Sequence, residues 1–149
     1  MKNERIKKLA VIAIFSAIAF VLMLIDFSTP FIPSFVKLDF SEIPALLSAF
    51  MFGPIEGVAV CLIKNLLHLT MTTTGGVGEL ANFLLGAAFA GTAGLVYKFR
   101  HTFKGGLAGC LSGSAVMAIV SFPVNLFITY PFYANVFFKG NMQGIIDME

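Results

Sequence analysis

The sequence LAVIAIFSAIAFVLMLI occupies residues 9–25 and contains a single polar side chain, Ser16. An apolar run of this length is close to what an α-helix needs to cross the hydrocarbon core of a bilayer. The composition of the whole chain agrees, because 58% of its 149 residues are hydrophobic, only 12% are charged and the mean hydropathy is +0.90. A soluble domain carries about twice that charged fraction. The sequence therefore predicts an all-α, polytopic membrane helix bundle.

Four more apolar segments follow the first predicted span, residues 6–26, and this argues against a cleaved signal peptide. Gly53-Pro54 separates the second span from the third, because proline suits the first position of a helix and cannot continue the preceding one. Residues 72–78 are predicted to form a small polar turn, and residues 130–144 an aromatic-rich loop. The other predicted spans are residues 43–52, 54–71, 79–99 and 105–129.

The basic residues orient these spans. Seven of the ten cations fall in two groups, one before the first span and one between the fourth and fifth. Both groups lie on one side if the spans alternate, and the positive-inside rule makes that side cytoplasmic. We therefore expect a multi-pass protein of the cell membrane with a cytoplasmic N-terminus. The cations in the two groups are Lys2, Arg5, Lys7, Lys8, Lys98, Arg100 and Lys104.

The stretch KLDFSEIP, residues 37–44, places three charged groups between apolar spans on the predicted outer side. Charges there must face water or a polar cavity, because hydrocarbon disfavours them strongly. Two interpretations stay open. The stretch forms part of a ligand pocket, or Asp39 or Glu42 pairs with Lys37 or Lys64 and only shapes the loop.

Asn82 and Asn125 are candidate ligand-binding residues, since each amide lies in an apolar helix near the outer side and needs a hydrogen-bonding partner. Glu79 shares a helical face with Asn82, although a carboxylate at a helix N-terminus is favourable without any ligand. Nearby aromatic residues favour a flat, uncharged heteroaromatic ligand with hydroxyls; an interfacial aromatic belt is the alternative. These aromatic residues are Phe27, Phe31, Phe35, Phe40, Phe83, Tyr130 and Tyr133.

Lys64 and His68 form a second polar pair, four residues apart in the third span. A lysine at this depth must pair, reach the interface or line a cavity, and we favour pairing with an acidic residue of the second span. An intramembrane enzyme that uses the two groups for acid–base chemistry is the alternative, but no nucleophile or metal-ligand spacing accompanies them. No Walker A sequence is present either. We therefore expect no enzymatic activity and no cofactor.

Small residues recur every four positions in two spans, as Gly86-Ala90-Gly94 and as Gly105-Gly109-Gly113. Such stripes let helix backbones approach closely inside a membrane, so the fourth and fifth spans are predicted to pack together. Ala13 and Ala17 form a similar stripe on the first span. Their spacing alone suits a neighbour inside the bundle and a second subunit equally well.

KLDFSEIPALLSAFMFGPIEGVAVCLIKNLLH, residues 37–68, closely resembles the riboflavin-specific substrate-binding subunits, or S components, of energy-coupling factor vitamin transporters. LAVIAIFSAIAFVLM, residues 9–23, and GELANFLLG, residues 78–86, resemble the same family. The resemblance implies high-affinity riboflavin binding and uptake by a helical membrane subunit. It also implies a transmembrane coupling subunit, the T component, and two ATPase subunits as partners. An S component for another vitamin is the alternative, and the small net charge of +2 gives no reason to expect a nucleic-acid partner.

The resemblance also assigns roles to residues. In the family, the loop after the first helix and the outer ends of later helices form the vitamin pocket, and an alanine stripe on the first helix meets the coupling subunit. Ala13 and Ala17 match that stripe. The family has six spans and five are visible, so we expect one integral-membrane domain, residues 1–149, that lacks the last helix. The predicted substrate-binding residues are Leu38, Asp39, Phe40, Glu79, Asn82, Phe83, Asn125 and Tyr130.

Overall fold

A computed structural model describes residues 2–25, 40–72 and 75–137. Within these ranges the secondary structure is entirely helical. Four of the helical segments are long and apolar enough to cross a membrane, and the 11-residue helix α2 is apolar but short. The helices are α1 (Lys2–Leu24), α2 (Glu42–Phe52), α3 (Pro54–His68, extended by a 3₁₀ turn at Leu69–Met71), α4 (Val77–Phe99), α5 (Phe103–Val124) and α6 (Tyr130–Phe137).

The predicted spans correspond to these helices, with one error. Residues 130–137 are α6 and not loop, because a π-helical turn at Asn125–Thr129 joins α5 to α6 without a break. Pro123 lies inside α5, two residues before the π turn, and the helix continues past it. Pro131 falls in the first turn of α6, where the hydrogen-bond ladder is already changing register, so its missing N–H does not end the helix.

One end of the bundle collects the basic residues, and we call it the basic end. Lys8, near the start of α1, forms an ion pair with Glu56 in the first turn of α3. At the ends of α2 and α4, the rings of Phe50 and Tyr97 stand 4.6 Å apart. The opposite end therefore holds the C-terminal half of α3, the start of α4 and the start of α2.

Glycine permits close packing of α5 on α4. A Cβ at Gly109 would lie 2.8 Å from the carbonyl oxygen of Ala93, and one at Gly113 would lie 2.7 Å from the carbonyl oxygen of Phe89. Backbone groups this near leave no room for a side chain, as the stripe of small residues predicted. Glycine also permits close packing of α3 on α2, because a Cβ at Gly57 would lie 2.5 Å from the Cβ of Ala49.

Candidate functional site

Lys64 is completely buried, with a relative accessibility of 0%, near the start of α2. Its Nζ donates to Ser41 Oγ at 2.6 Å and lies 2.5 Å from Glu42 Oε1. The second carboxylate oxygen of Glu42 accepts from Cys61 Sγ at 3.6 Å. The predicted pairing of Lys64 with an acidic residue of the second span is thus confirmed. Of the alternatives left open for residues 37–44, the structure shows the Glu42–Lys64 ion pair.

Gly86 on α4 makes space for this ion pair. A Cβ at Gly86 would lie 2.7 Å from both carboxylate oxygens of Glu42. The cluster of Ser41, Glu42, Cys61 and Lys64 therefore lies where α2, α3 and α4 meet, and we call it the lysine cluster. A charge with this little access to solvent is stable only when it is paired and hydrogen-bonded.

Two further polar pairs join α3 to α4. His68 Nδ1 lies 2.8 Å from Glu79 Oε1, and Glu79 is 4% exposed. One turn nearer the basic end, Asn65 Nδ2 donates to Asn82 Oδ1 at 3.5 Å and to the Cys61 carbonyl at 2.8 Å. The short turn between the two helices makes them an antiparallel hairpin, so residues before the turn face residues after it. Polar contacts of this kind stabilise helix pairs that have little hydrophobic drive to associate in lipid.

A cavity of about 120 Å³ opens beside these pairs. Its polar lining comes from Asn65 and Glu79, and the rest is apolar. Asn65 Oδ1 is buried and accepts no hydrogen bond from any described residue. An unpartnered amide oxygen and a carboxylate therefore belong to two residues of the cavity lining. The apolar lining residues are Leu62, Leu66, Leu69, Gly76, Leu80 and Phe83.

A larger groove, of about 370 Å³, follows α5 into the π turn. Asn125 donates its amide nitrogen to Ser121 Oγ at 3.1 Å, whereas its side-chain amide oxygen makes no hydrogen bond to another side chain of the described ranges. Tyr130 closes the groove at the start of α6. Drug-sized ligands occupy pockets of roughly 300–1,000 Å³, and this groove is within that range. Its remaining lining residues are Ala118, Phe122 and Leu126.

The structure divides the predicted substrate-binding residues between these two places. Glu79 and Phe83 line the small cavity, whereas Asn125 and Tyr130 line the groove. Asn82 lines neither and faces Asn65. Phe40 is largely exposed immediately before α2. The predictions for Leu38 and Asp39 lie outside the described residues.

The proposed interface stripe faces outward. Ala13 and Ala17 are exposed on α1, whereas Ile12, Ser16 and Ala19 on the neighbouring positions are buried against the bundle. The stripe is therefore not used for packing within the described part of the chain, which leaves it open to a second subunit.

Sequence reasoning did not assign Asn65, Ser41 or Cys61 to a site. One signal was available, because His68 faces Glu79 and Asn65 faces Asn82 across the turn predicted at residues 72–78. An antiparallel helical hairpin places such pairs together once the ends of both helices are known. From the sequence, the ion pair between Glu42 and Lys64 could be predicted only as one of several possible pairs.

This arrangement is suited to binding and not to covalent chemistry. Its polar atoms are amides, a carboxylate and an imidazole, and these groups already make hydrogen bonds within or between the helices. In residues 2–25, 40–72 and 75–137, no group of three His, Cys, Asp or Glu side chains is placed to hold a metal ion. Amides both donate and accept hydrogen bonds, so they suit a ligand edge with alternating carbonyl and N–H groups.

The fold defines a multi-pass membrane protein with polar side chains clustered at one end of its helices. Residues 7–146 match the family described as ECF transporter, substrate-specific component. The chain is 44% identical over 137 residues to the riboflavin transporter RibU of Staphylococcus aureus, covering 92% of this chain and 72% of the relative. It is 37% identical over 132 residues to the riboflavin transporter FmnP of Bacillus subtilis, covering 87% and 70%.

A solved structure agrees with these relatives. The S component of a bacterial ECF transporter superposes with a TM-score of 0.81 at 42% identity, covering 90% of this chain and 78% of that one. The chain therefore belongs to the family of ECF transporter substrate-specific components. The all-α fold predicted from the sequence and the family resemblance are both confirmed.

Proposed function

We propose that this protein binds riboflavin and mediates its uptake as the S component of an energy-coupling factor transporter. The observation that carries the proposal is the similarity to two riboflavin transporters over about nine-tenths of the chain. The groove along α5 and the π turn supports the proposal, because it is large enough for a small ligand and has the Asn125 amide in its lining. An S component for a different vitamin is the alternative.

In this proposal, Asn125 reads the amide-like edge of the flavin ring, with Tyr130 beside it. The side-chain amide oxygen of Asn125 accepts a hydrogen bond from the ring N–H. Rotation of the same amide group brings its N–H donors to the ring carbonyls. Asn82 is the second candidate for this role. Glu79 and Phe83 line the smaller cavity and not this groove, so their contact with the flavin, like that of Phe40, Leu38 and Asp39, stays a prediction from the sequence.

Riboflavin titration of the purified chain tests the proposal. Flavin emission should fall as the ring enters an aromatic pocket, and thiamin or biotin should not compete. Asn125→Ala should weaken binding by about 1–3 kcal/mol, the usual loss when a buried hydrogen-bonding partner is removed. Ser114→Ala, an exposed change on the same helix, is the matched control and should leave affinity unaltered.

Two results would argue against different parts of this proposal. If riboflavin binds normally to Asn125→Ala and to Asn82→Ala, the site assignment is wrong while the function stands. If the unaltered chain does not bind riboflavin but binds thiamin or biotin, the protein is an S component for that other vitamin.

The proposed partners follow from the family. A transmembrane coupling subunit meets the outward stripe of Ala13 and Ala17, and two ATPase subunits supply energy. The basic end faces the cytoplasm, which places the N-terminus inside the cell. The positive-inside rule supports this orientation, because the cations of the N-terminal turn and of the α4–α5 turn share that end.

A further inference from the structure

The turn between α4 and α5 is a short basic segment that contains no acidic residue. Residues 98–104, KFRHTFK, contain Lys98, Arg100 and Lys104 together with His101, and all four side chains are exposed. The sequence has no Asp or Glu between residues 80 and 146. The positive charge of this segment is therefore not offset locally.

The acids of neighbouring elements do not neutralise the turn. In the described part of the chain, the acids near the start of α1 and the start of α3 are Glu4 and Glu56. Glu4 lies 4.0 Å from Lys7, and Glu56 pairs with Lys8. No described ion pair includes a cation of residues 98–104. The N-terminal cations are thus partly compensated, whereas those of the turn are not.

Hydrogen bonds hold the turn in one shape. The amide of Thr102 donates to the Arg100 carbonyl at 2.8 Å, and Thr102 Oγ1 accepts from the Gly105 amide at 3.1 Å. The ring of His101 packs edge-on against Tyr97, with 5.2 Å between centroids. A ligand that meets these cations therefore meets a largely preformed surface.

Two phenylalanines flank the cations and point away from the protein. Phe99 is 80% exposed and Phe103 is 89% exposed. The turn therefore presents exposed apolar rings directly beside exposed cations, so its surface is amphiphilic.

We propose that residues 98–104 bind the phosphate headgroup of an anionic phospholipid, with Arg100 and Lys104 as its main contacts and Phe99 and Phe103 against its acyl chains. Charge complementarity identifies the occupant, because an uncompensated basic surface beside exposed aromatic rings matches an anionic amphiphile. Guanidinium and ammonium groups are the usual partners of phosphate oxygens. This proposal does not depend on which vitamin the protein carries.

The test titrates short-chain phosphatidylglycerol into the full chain in detergent and counts bound lipid by native mass spectrometry. Arg100→Gln/Lys104→Gln should weaken lipid binding by about 10- to 30-fold, the effect expected for two cations near an anionic headgroup. Lys2→Gln/Arg5→Gln is the matched control, since it removes one lysine and one arginine, both exposed, from the same end. The control should change binding by no more than about twofold if the site is local.

Several results would overturn the proposal. Equal weakening in both double variants would mean diffuse attraction to the basic end, and equal binding of phosphatidylcholine would mean that charge is not recognised. If the turn variant keeps its lipid but no longer co-purifies with the other transporter subunits, the turn is a protein contact. On the unaltered chain, about 0.5 M salt should release the lipid, because screening shortens the reach of exposed charges to a few ångströms. If the chain retains the lipid at this salt concentration, the proposal is contradicted without any mutation.

Discussion

At the scale of single residues, Lys64 places a completely buried ammonium group inside the bundle. A buried ammonium inside a membrane bundle must find its counter-charge in the protein, because lipid supplies none. Glu42 and Ser41 meet that need from the first turn of α2, and Gly86 leaves them room. The lysine therefore ties the beginning of α2 to the middle of α3.

We expect Lys64→Met to lower the free energy of unfolding by about 3–5 kcal/mol, because the Glu42 carboxylate would stay largely buried without its partner. Thermal or denaturant unfolding in detergent measures this change. Lys64→Met/Glu42→Gln is the informative companion, since it removes both charges and should recover much of the loss. A single variant as stable as the unaltered chain would show that the ion pair contributes little.

At the scale of helices, α4 and α5 associate through backbone contact where glycine removes the side chain. Gly109 and Gly106 lie one turn apart on α5 but differ in what they face. A Cβ at Gly109 would press on the backbone oxygen of Ala93 at 2.8 Å, whereas one at Gly106 would sit 3.8 Å from the ring of Tyr97. The two positions form a matched pair for testing how close the helices must be.

Gly109→Ala should destabilise the protein by about 1–3 kcal/mol, because a backbone oxygen cannot rotate away from the new methyl group. Gly106→Ala introduces the same methyl group at ordinary contact distance and should be neutral or slightly stabilising through its better helix propensity. Midpoints of thermal unfolding for the two variants provide the comparison. Similar midpoints would indicate that α5 can slide outward at little cost.

Hydropathy and basic-residue counts predicted the spans, the break at Gly53-Pro54 and the pairing of Lys64, since each depends on residues close in sequence or on one strong constraint. They failed at residues 130–137, which were predicted as part of an aromatic-rich loop and are helical. The turn register that pairs Asn65 with Asn82 is a property of two packed helices. It could not be read before the hairpin was built.

At the scale of the whole molecule, the outward stripe on α1 and the groove along α5 are proposed to serve different neighbours. The outward stripe on α1 consists of small side chains, which suits close approach by another transmembrane helix. The groove along α5 takes the proposed vitamin. Binding and assembly are therefore expected to be separable by mutation.

Ala13→Leu/Ala17→Leu should abolish uptake and co-purification with the coupling subunit while riboflavin affinity stays unchanged, because bulk on α1 blocks helix approach without reaching the groove. Ala108→Leu/Ala115→Leu, two exposed alanines on α5, is the control for added bulk in lipid. Cellular uptake and pull-down assays give the readout. Normal uptake by the α1 variant would remove this face from the proposed interface.

The orientation of Tyr130 in the groove depends on the number of residues in the π turn at Asn125–Thr129. Each helical residue turns the chain by about 100°, so one surplus residue reorients everything that follows it by roughly that angle. Tyr130 owes its place beside Asn125 to this rotation. Deletion of one residue here would leave an apolar segment long enough to span the membrane and could keep every groove side chain. It would nevertheless turn Tyr130 away from Asn125. Relatives that differ by a single residue at this point can therefore diverge in selectivity while their groove residues stay identical.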